Sequence, residues 1–456
     1  MERDMTNDKP LKLLMAFTVP LFFGNIFQQF YAMVDSIVVG RFVSVEALAA
    51  VGAVNGFSFM VVGFATGLSQ GFSVMISQRY GAKDMAGMRK VYTQSILCSM
   101  TITIFISLLF FFLSMPLLRL INTPENIIGM ANDYISTIYL FLITAVFYNL
   151  FSSVLRAVGD SKSPVLFLLL SSALNIVLDL FFVIVIPLAV KGVAIATVIS
   201  QGISAVVSWF YIYKKFPMFK CNRYDWVFDK VICKNLLRIG LPGAIQFSIT
   251  AVGVIIVQAV LNGFGSDTIA AYSVGVKIEN ILTQFYVALG MAISTFAGQN
   301  LGAGKLKRIK DGFVTATWVS ILYSLLAMII AYLFTRPISY LFVDKNSVNP
   351  TVLDEVVKYT TTVCNFFIPL GFIFVFRTGS QGLGSGKIPM INSIIELSLR
   401  IIACLTLPKF LGYMGICLTS PMAWTFAGFT LPFLTIKLYR KIEKSFVRDA
   451  IIDKKA

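Results

Sequence analysis

Twelve stretches of this sequence run for about twenty residues or more with almost no charged side chain, and that pattern limits the fold more than any other feature. In order they are Leu13–Val39, Ala47–Gln78, Val91–Leu118, Tyr134–Leu155, Ser163–Leu188, Gly192–Tyr213, Ile239–Ser266, Thr268–Leu301, Gly312–Thr335, Tyr359–Gly386, Ile388–Pro408 and Phe410–Ile436. Such runs suit the hydrocarbon core of a bilayer, where every backbone polar group must be bonded within its own helix. Composition agrees: 57% of the residues are hydrophobic, 13% are charged and mean hydropathy is +0.81. A soluble domain carries about 25% charged residues. The expected fold class is an all-α integral membrane protein with twelve transmembrane helices, which excludes soluble enzymes, nucleic-acid-binding domains and disordered chains. The absence of histidine removes His-ligated metal sites, Ser-His-Asp triads and histidine proton relays. Six scattered cysteines without Cys-x-x-Cys spacing read as reduced and incidental. No Gly-x-x-x-x-Gly-Lys-[Ser/Thr] loop occurs, so ATP is not the expected fuel.

The net charge of +16 follows from membrane topology. The N-terminus, the tail and every second loop collect 28 of the 38 Lys and Arg residues, the alternate loops hold seven, and Lys277, Arg377 and Arg400 lie inside spans. By the positive-inside rule both termini are expected in the cytoplasm, and no nucleic acid is needed to explain the charge. Met1–Pro10 mixes Glu, Arg and Asp and does not read as a signal peptide.

The two halves of the chain repeat. Leu14–Pro20 aligns with Leu236–Pro242, Gln78–Lys83 with Gln299–Gly304, and Arg156–Pro164 with Gln381–Pro389, at offsets of 222, 221 and 225. Gly192–Thr197 matches Gly415–Ser420 loosely. Six spans per half make these parallel repeats about an axis along the membrane normal, an architecture of secondary transporters. The expected organisation is an N-lobe over residues 1–215, a cytoplasmic linker over 216–231 and a C-lobe over 232–456 with a basic tail. Gly81, Gly159, Gly302 and Gly384 are expected to allow tight turns between spans.

Several local patterns resemble one family. Pro20 in the first span precedes Gln28-Gln29-Phe30-Tyr31-Ala32-Met33-Val34-Asp35 and then Val39-Gly40. The paired Gln-x-x-Gly-Ala loops, the Leu155-Arg156-Ala157-Val158-Gly159-Asp160 turn and Asn175-x-x-x-Asp179 complete the set. In order and spacing these resemble the multidrug and toxic compound extrusion (MATE) transporters over nearly the whole chain. The resemblance implies two pseudo-symmetric six-helix bundles around a cleft that opens alternately to each side. It also implies export of organic molecules against inward H⁺ or Na⁺ flow.

Charges inside the bilayer are costly, about 2.5–3.5 kcal/mol each on insertion scales, and so point to function. Asp35 lies near the outer end of the first span and Asp179 in the middle of the fifth, with Asn175 one turn before it on the same face. Two acids and an amide carbonyl can bind Na⁺ through oxygens or share a proton. The resemblance assigns Asp35, Asn175 and Asp179 to a cation site in the N-lobe, with Thr197 as a further oxygen ligand. In the C-lobe, Glu396 and Arg400 are spaced for an internal ion pair, whereas Glu279 is open between substrate contact and structural pairing. Some family members place acids in spans seven and ten. This chain has none there, which puts a C-lobe cation site in doubt. Gln28, Gln246, Glu279 and Tyr286 are candidates for a substrate cleft, with Met33 for its apolar wall, although helix–helix hydrogen bonding is the more expected role for most of the polar residues such as Gln28, Gln246 and Tyr286.

The expected function is secondary antiport of organic, cationic or amphipathic, compounds for H⁺ or Na⁺, with no other cofactor. The expected setting is a bacterial inner membrane, with a small-molecule substrate, membrane lipid as surroundings and a monomeric chain. A flippase for a lipid-linked precursor is the alternative, but the N-lobe spans carry no basic residue for a diphosphate. A channel or passive scaffold would not require carboxylates buried in one lobe of a pseudo-symmetric pair.

Overall fold

The computed structural model describes residues 3–342 and 349–453. Lys345, Lys454 and Lys455 of the charge count lie outside the described residues. Fourteen α-helices appear among the described residues: α1 (Pro10–Val38), α2 (Val45–Gly81), α3 (Met85–Leu120), α4 (Glu125–Leu140), α5 (Leu142–Ala157), α6 (Lys162–Leu180), α7 (Ala189–Lys215), α8 (Lys230–Leu261), α9 (Ser266–Gly302), α10 (Leu306–Ser339), α11 (Pro350–Cys364), α12 (Phe367–Gly382), α13 (Lys387–Leu411) and α14 (Tyr413–Asp453). Nine of these are long and apolar enough to cross a membrane alone, and two bent pairs, α4–α5 and α11–α12, raise the number to eleven. The twelfth apolar stretch, Phe410–Ile436, falls largely on α14.

Two compact units divide the chain: Met1–Asp4 with Phe23–Ser248, and Met5–Phe22 with Ile249–Ala456. In the first unit α2 packs along α3, α4 and α5, α7 packs on α5 and α6, and the core gathers Leu68, Phe72, Ile76, Leu150, Val154 and Leu155. Here α2 also meets the opening turns of α8 at glycines. A Cβ on Gly71 would stand 2.3 Å from Gly240 Cα, and one on Gly67 would stand 2.5 Å from Gly243 O. In the second unit α9 packs along α10, α11 and α12, and α14 packs on α12 and α13. Its core is built on Ile278, Leu282, Tyr286, Phe367, Leu370 and Ile373.

The repeat extends to backbone detail. Gly159 and Gly384, 225 positions apart, take φ of +87° and +85°. In the paired Gly-Ala loops the left-handed residue is not the expected glycine. Gly81 and Gly302 end their helices, and the turn is made by Lys83 (φ +57°) and Gly304 (φ +70°). The fourth and tenth apolar stretches, read as single spans, are broken instead. They bend by 50° and 51° where Phe141 (φ −106°, ψ 24°) and Phe366 (φ −105°, ψ 17°) leave helical geometry. A bend frees carbonyls of the preceding turn. At the first, Ser107 Oγ of α3 donates to Tyr139 O at 2.6 Å and Leu140 O at 3.2 Å. Polar side chains inside the spans mostly bond to their own helix. Asn149 and Gln284 each donate to the carbonyl four residues back, at 2.8 and 2.9 Å. Of the scattered cysteines, Cys98 and Cys233 meet, Sγ to Sγ, at 2.8 Å.

Candidate cation-binding site

Asp35 stands in the last turn of α1 and Asp179 in the last turn of α6, each just before a five-residue π-helical segment. These segments, Val39–Val43 and Phe181–Val185, are wider than an α-turn, a deviation that recurs at functional positions. Asp179 is thus nearer the end of its helix than the mid-span placement expected from sequence, because α6 stops being α-helical at Leu180. Val39 and Val183 pack with Ala47, Val190 and Val193 into a small apolar cluster beside Tyr134.

The two carboxyl groups meet within hydrogen-bonding reach of one another. Asn175, one turn before Asp179, donates from Nδ2 to Asp179 Oδ1 at 3.2 Å, and both residues are fully buried. Among the described residues, three buried oxygens in the group have no hydrogen-bond donor: Asp35 Oδ1, Asp179 Oδ2 and Asn175 Oδ1. Thr197 of α7 is nearby but engaged. It donates to Val193 O at 3.0 Å, and Tyr31 of α1 stands near it. Tyr31 and Tyr134 of α4 both face the two acids. A cavity of about 110 Å³ adjoins this cluster, lined in part by Tyr134, Thr197, Ser58 and Gln201. That is room for about three or four waters. The cluster can therefore share a proton between its acids or offer three unpaired oxygens to a small cation.

A profile of the MatE family matches residues 20–181 and 242–406, most of both halves. The chain belongs to the MatE family. Among curated relatives, the probable multidrug resistance protein YpnP of Bacillus subtilis (strain 168) is 28% identical over 428 residues, 93% of this chain and 94% of that one. The probable multidrug resistance protein YoeA of the same organism is 30% identical over 336 residues, 72% and 73% of the two chains. The structure titled as the outward-facing conformation of a multidrug resistance MATE family transporter of the MOP superfamily superposes with a TM-score of 0.89. It is 22% identical and covers 96% of this chain and 98% of its own, a likeness of fold.

The second unit of this MatE protein holds a separate buried polar centre. Glu396 and Arg400 form the ion pair their spacing suggested, at 2.6 Å, and Arg377 of α12 joins it at 3.6 Å from Glu396 Oε2. Arg377 also lies over the Phe374 ring at 5.3 Å. Glu279 accepts a hydrogen bond from Tyr359 at 2.6 Å and faces Arg400. Of the cleft candidates, Gln28 is exposed on α1 and Met33 is half-buried beside it. Gln246 is buried in the first unit. Tyr286 is fully enclosed in the core of the second, its hydroxyl 2.7 Å from Ser324 Oγ and its ring edge-on to Phe367. Tyr31 and Tyr134 were not singled out from sequence. Tyr31 carried a signal, being four residues before Asp35 on the same helical face. Tyr134 carried none, since only folding brings α4 to α1.

Proposed function

We propose that this MatE protein is a secondary active antiporter that exports organic cationic or amphipathic compounds in exchange for a cation bound at Asp35, Asn175 and Asp179. The observation that carries the reading is the contact between the two carboxyl groups in the first unit. Two ionised carboxylates side by side in a low-dielectric interior repel one another, and on this reading a proton shared between them relieves that repulsion. Loss of that proton leaves two negative charges facing each other, a state that favours rearrangement of α1 against α6 or pairing with a cationic substrate. Tyr31 and Tyr134 would orient the acids, and the adjoining cavity would supply water for proton entry. Coupling follows if proton and substrate each lower the other's affinity by the same factor. At about 150 mV, one inward charge supplies roughly 3.5 kcal/mol. That sustains a gradient of about 300-fold for a neutral substrate.

Na⁺ is the second reading, favoured by the three donor-free oxygens of the same cluster. The proposal includes a monomer in a bacterial inner membrane with both termini cytoplasmic, which the distribution of Lys and Arg supports. Efflux of a fluorescent cation such as ethidium from proteoliposomes tests it, with pH and Na⁺ gradients imposed separately. The expected result is efflux driven by the pH gradient and lost in Asp35→Asn and Asp179→Asn. Efflux driven by Na⁺ alone would select the second reading. Efflux indifferent to both substitutions would remove this cluster from coupling, and no efflux under either gradient would favour the lipid flippase.

A further inference from the structure

The segment between α7 and α8 has a surface that the transport reading does not use. From Lys214 to Arg238 it carries seven basic residues and two acids, Asp225 and Asp229. Both acids are turned to internal work. Asp225 is buried, accepts the Asn222 N–H at 2.8 Å and pairs with Arg89 of α3 at 3.4 Å. Asp229 Oδ1 accepts the Val231 and Ile232 N–H groups at 2.9 and 3.0 Å, capping the start of α8. All seven basic side chains are exposed and none forms an ion pair among the described residues, so the outer face is cationic.

Among these cations stand large apolar side chains that the described residues leave uncovered: Tyr224 is 84% exposed, Phe228 66% and Val231 69%, with Trp226 and Val227 also exposed. They are not displayed by a loose loop. Gln94 of α3 donates from Nε2 to Val227 O at 2.9 Å and accepts the Asp229 N–H at 3.1 Å, and Thr93 donates to Asp225 O. The segment is stapled to α3 with its apolar and basic groups outward. Its level is marked by the last turns of α7, where Trp209 and Tyr213 are exposed and stacked at 6.2 Å and Lys220 Nζ lies over the Tyr213 ring at 5.5 Å. Exposed Trp and Tyr at the end of a spanning helix mark the headgroup zone.

We propose that this segment docks on the bilayer surface and binds anionic phospholipid headgroups, with Tyr224, Trp226, Phe228 and Val231 inserted at the acyl boundary. The apolar side chains need a non-aqueous medium, and the nearest is the membrane that α7 has just left. The unopposed cations select acidic over zwitterionic headgroups, each worth about fivefold in affinity close to the surface. The inference rests on the membrane fold and is independent of substrate and coupling ion.

The test reconstitutes the full chain in bilayers of phosphatidylcholine and phosphatidylglycerol, with one or the other brominated. Quenching assigned to Trp226 is taken as the difference from Trp226→Phe. The expected result is quenching of Trp226, with brominated phosphatidylglycerol preferred by about fivefold or more at low salt. The preference falls several-fold, without vanishing, in the triple variant Lys220→Gln/Arg223→Gln/Lys230→Gln, which leaves four exposed cations in place, and it weakens with added salt. Absence of Trp226 quenching by either lipid would overturn the proposal, because the segment would then face water or another protein. Equal quenching by both lipids, or an unchanged preference in the triple variant, would overturn the acidic-lipid selectivity.

Discussion

Glu396 is the hinge of the charge balance inside the second unit. Its carboxylate is shared by Arg400 at 2.6 Å and Arg377 at 3.6 Å, and Glu396 and Arg400 are only 8% and 7% exposed. Replacing it with Gln keeps one acceptor for Arg400 but leaves Arg377 without its carboxylate and Arg400 facing a single acid, Glu279. Removing one member of a buried pair costs about 3–5 kcal/mol. The retained amide oxygen puts Glu396→Gln at the lower end, about 3 kcal/mol. For a unit of this size each kcal/mol shifts the midpoint by about 2–4 °C, so thermal denaturation in detergent should fall by about 6–12 °C. Adding Arg377→Met restores neutrality, because Arg400 and Glu279 then balance one another. The double variant is expected to recover at least half of the loss. If Glu396→Gln melts like the parent, or if Arg377→Met deepens the loss, the shared-carboxylate account is wrong.

Other expectations follow from the turns and the helix contact. Lys83 is held at φ +57° where its repeat partner is Gly304, so Lys83→Gly should stabilise by about 1 kcal/mol, seen as a rise in melting temperature. Asp84 caps α3 through the Gly87 N–H at 2.8 Å and also pairs with Arg79, and these contacts hold its carboxyl below the usual range. Asp84→Ala should cost about 0.5–1 kcal/mol at neutral pH, the low value reflecting its exposure. That contribution is present above the ordinary carboxylate pKa and is lost as pH falls through the depressed one, so the gap between the two melting curves should close in acid. Gly71→Val would drive a side chain into the Gly240 backbone, and monodisperse yield on size-exclusion chromatography should collapse, whereas Gly52→Ala, with open space around it, should not change it.

The fold class and the repeat were legible because lipid imposes a simple code: long apolar runs become helices and rare charges stand out. Asp35 and Asp179 were visible for that reason and Asn175 by its place one turn before Asp179, and the structure brings the three together. What stayed hidden depends on backbone geometry or on distant packing. Nothing in Phe141 or Phe366 announces a bend of about 50°, since neither is Pro or Gly and the freed carbonyls of the first are met by Ser107 from another helix. The π-helical turns after Asp35 and Asp179 carry no residue signature beyond Gly40. Periodicity paired Glu396 with Arg400, yet Arg377 joins them only because α12 folds against α13. Tyr286 looked like a cleft residue because it is polar. Its hydroxyl is satisfied by Ser324, so the ring can sit in the core.

The central claim is that substrate and proton compete through Asp35 and Asp179. Proton release on substrate binding measures this without a membrane gradient. The purified chain in weakly buffered detergent solution is titrated with ethidium while a pH indicator follows free protons, in the presence and absence of Na⁺. The account predicts up to one proton released per bound cation, with the same release at any Na⁺ concentration and none in Asp35→Asn or Asp179→Asn. Binding without proton release, or release that survives both substitutions, would contradict it.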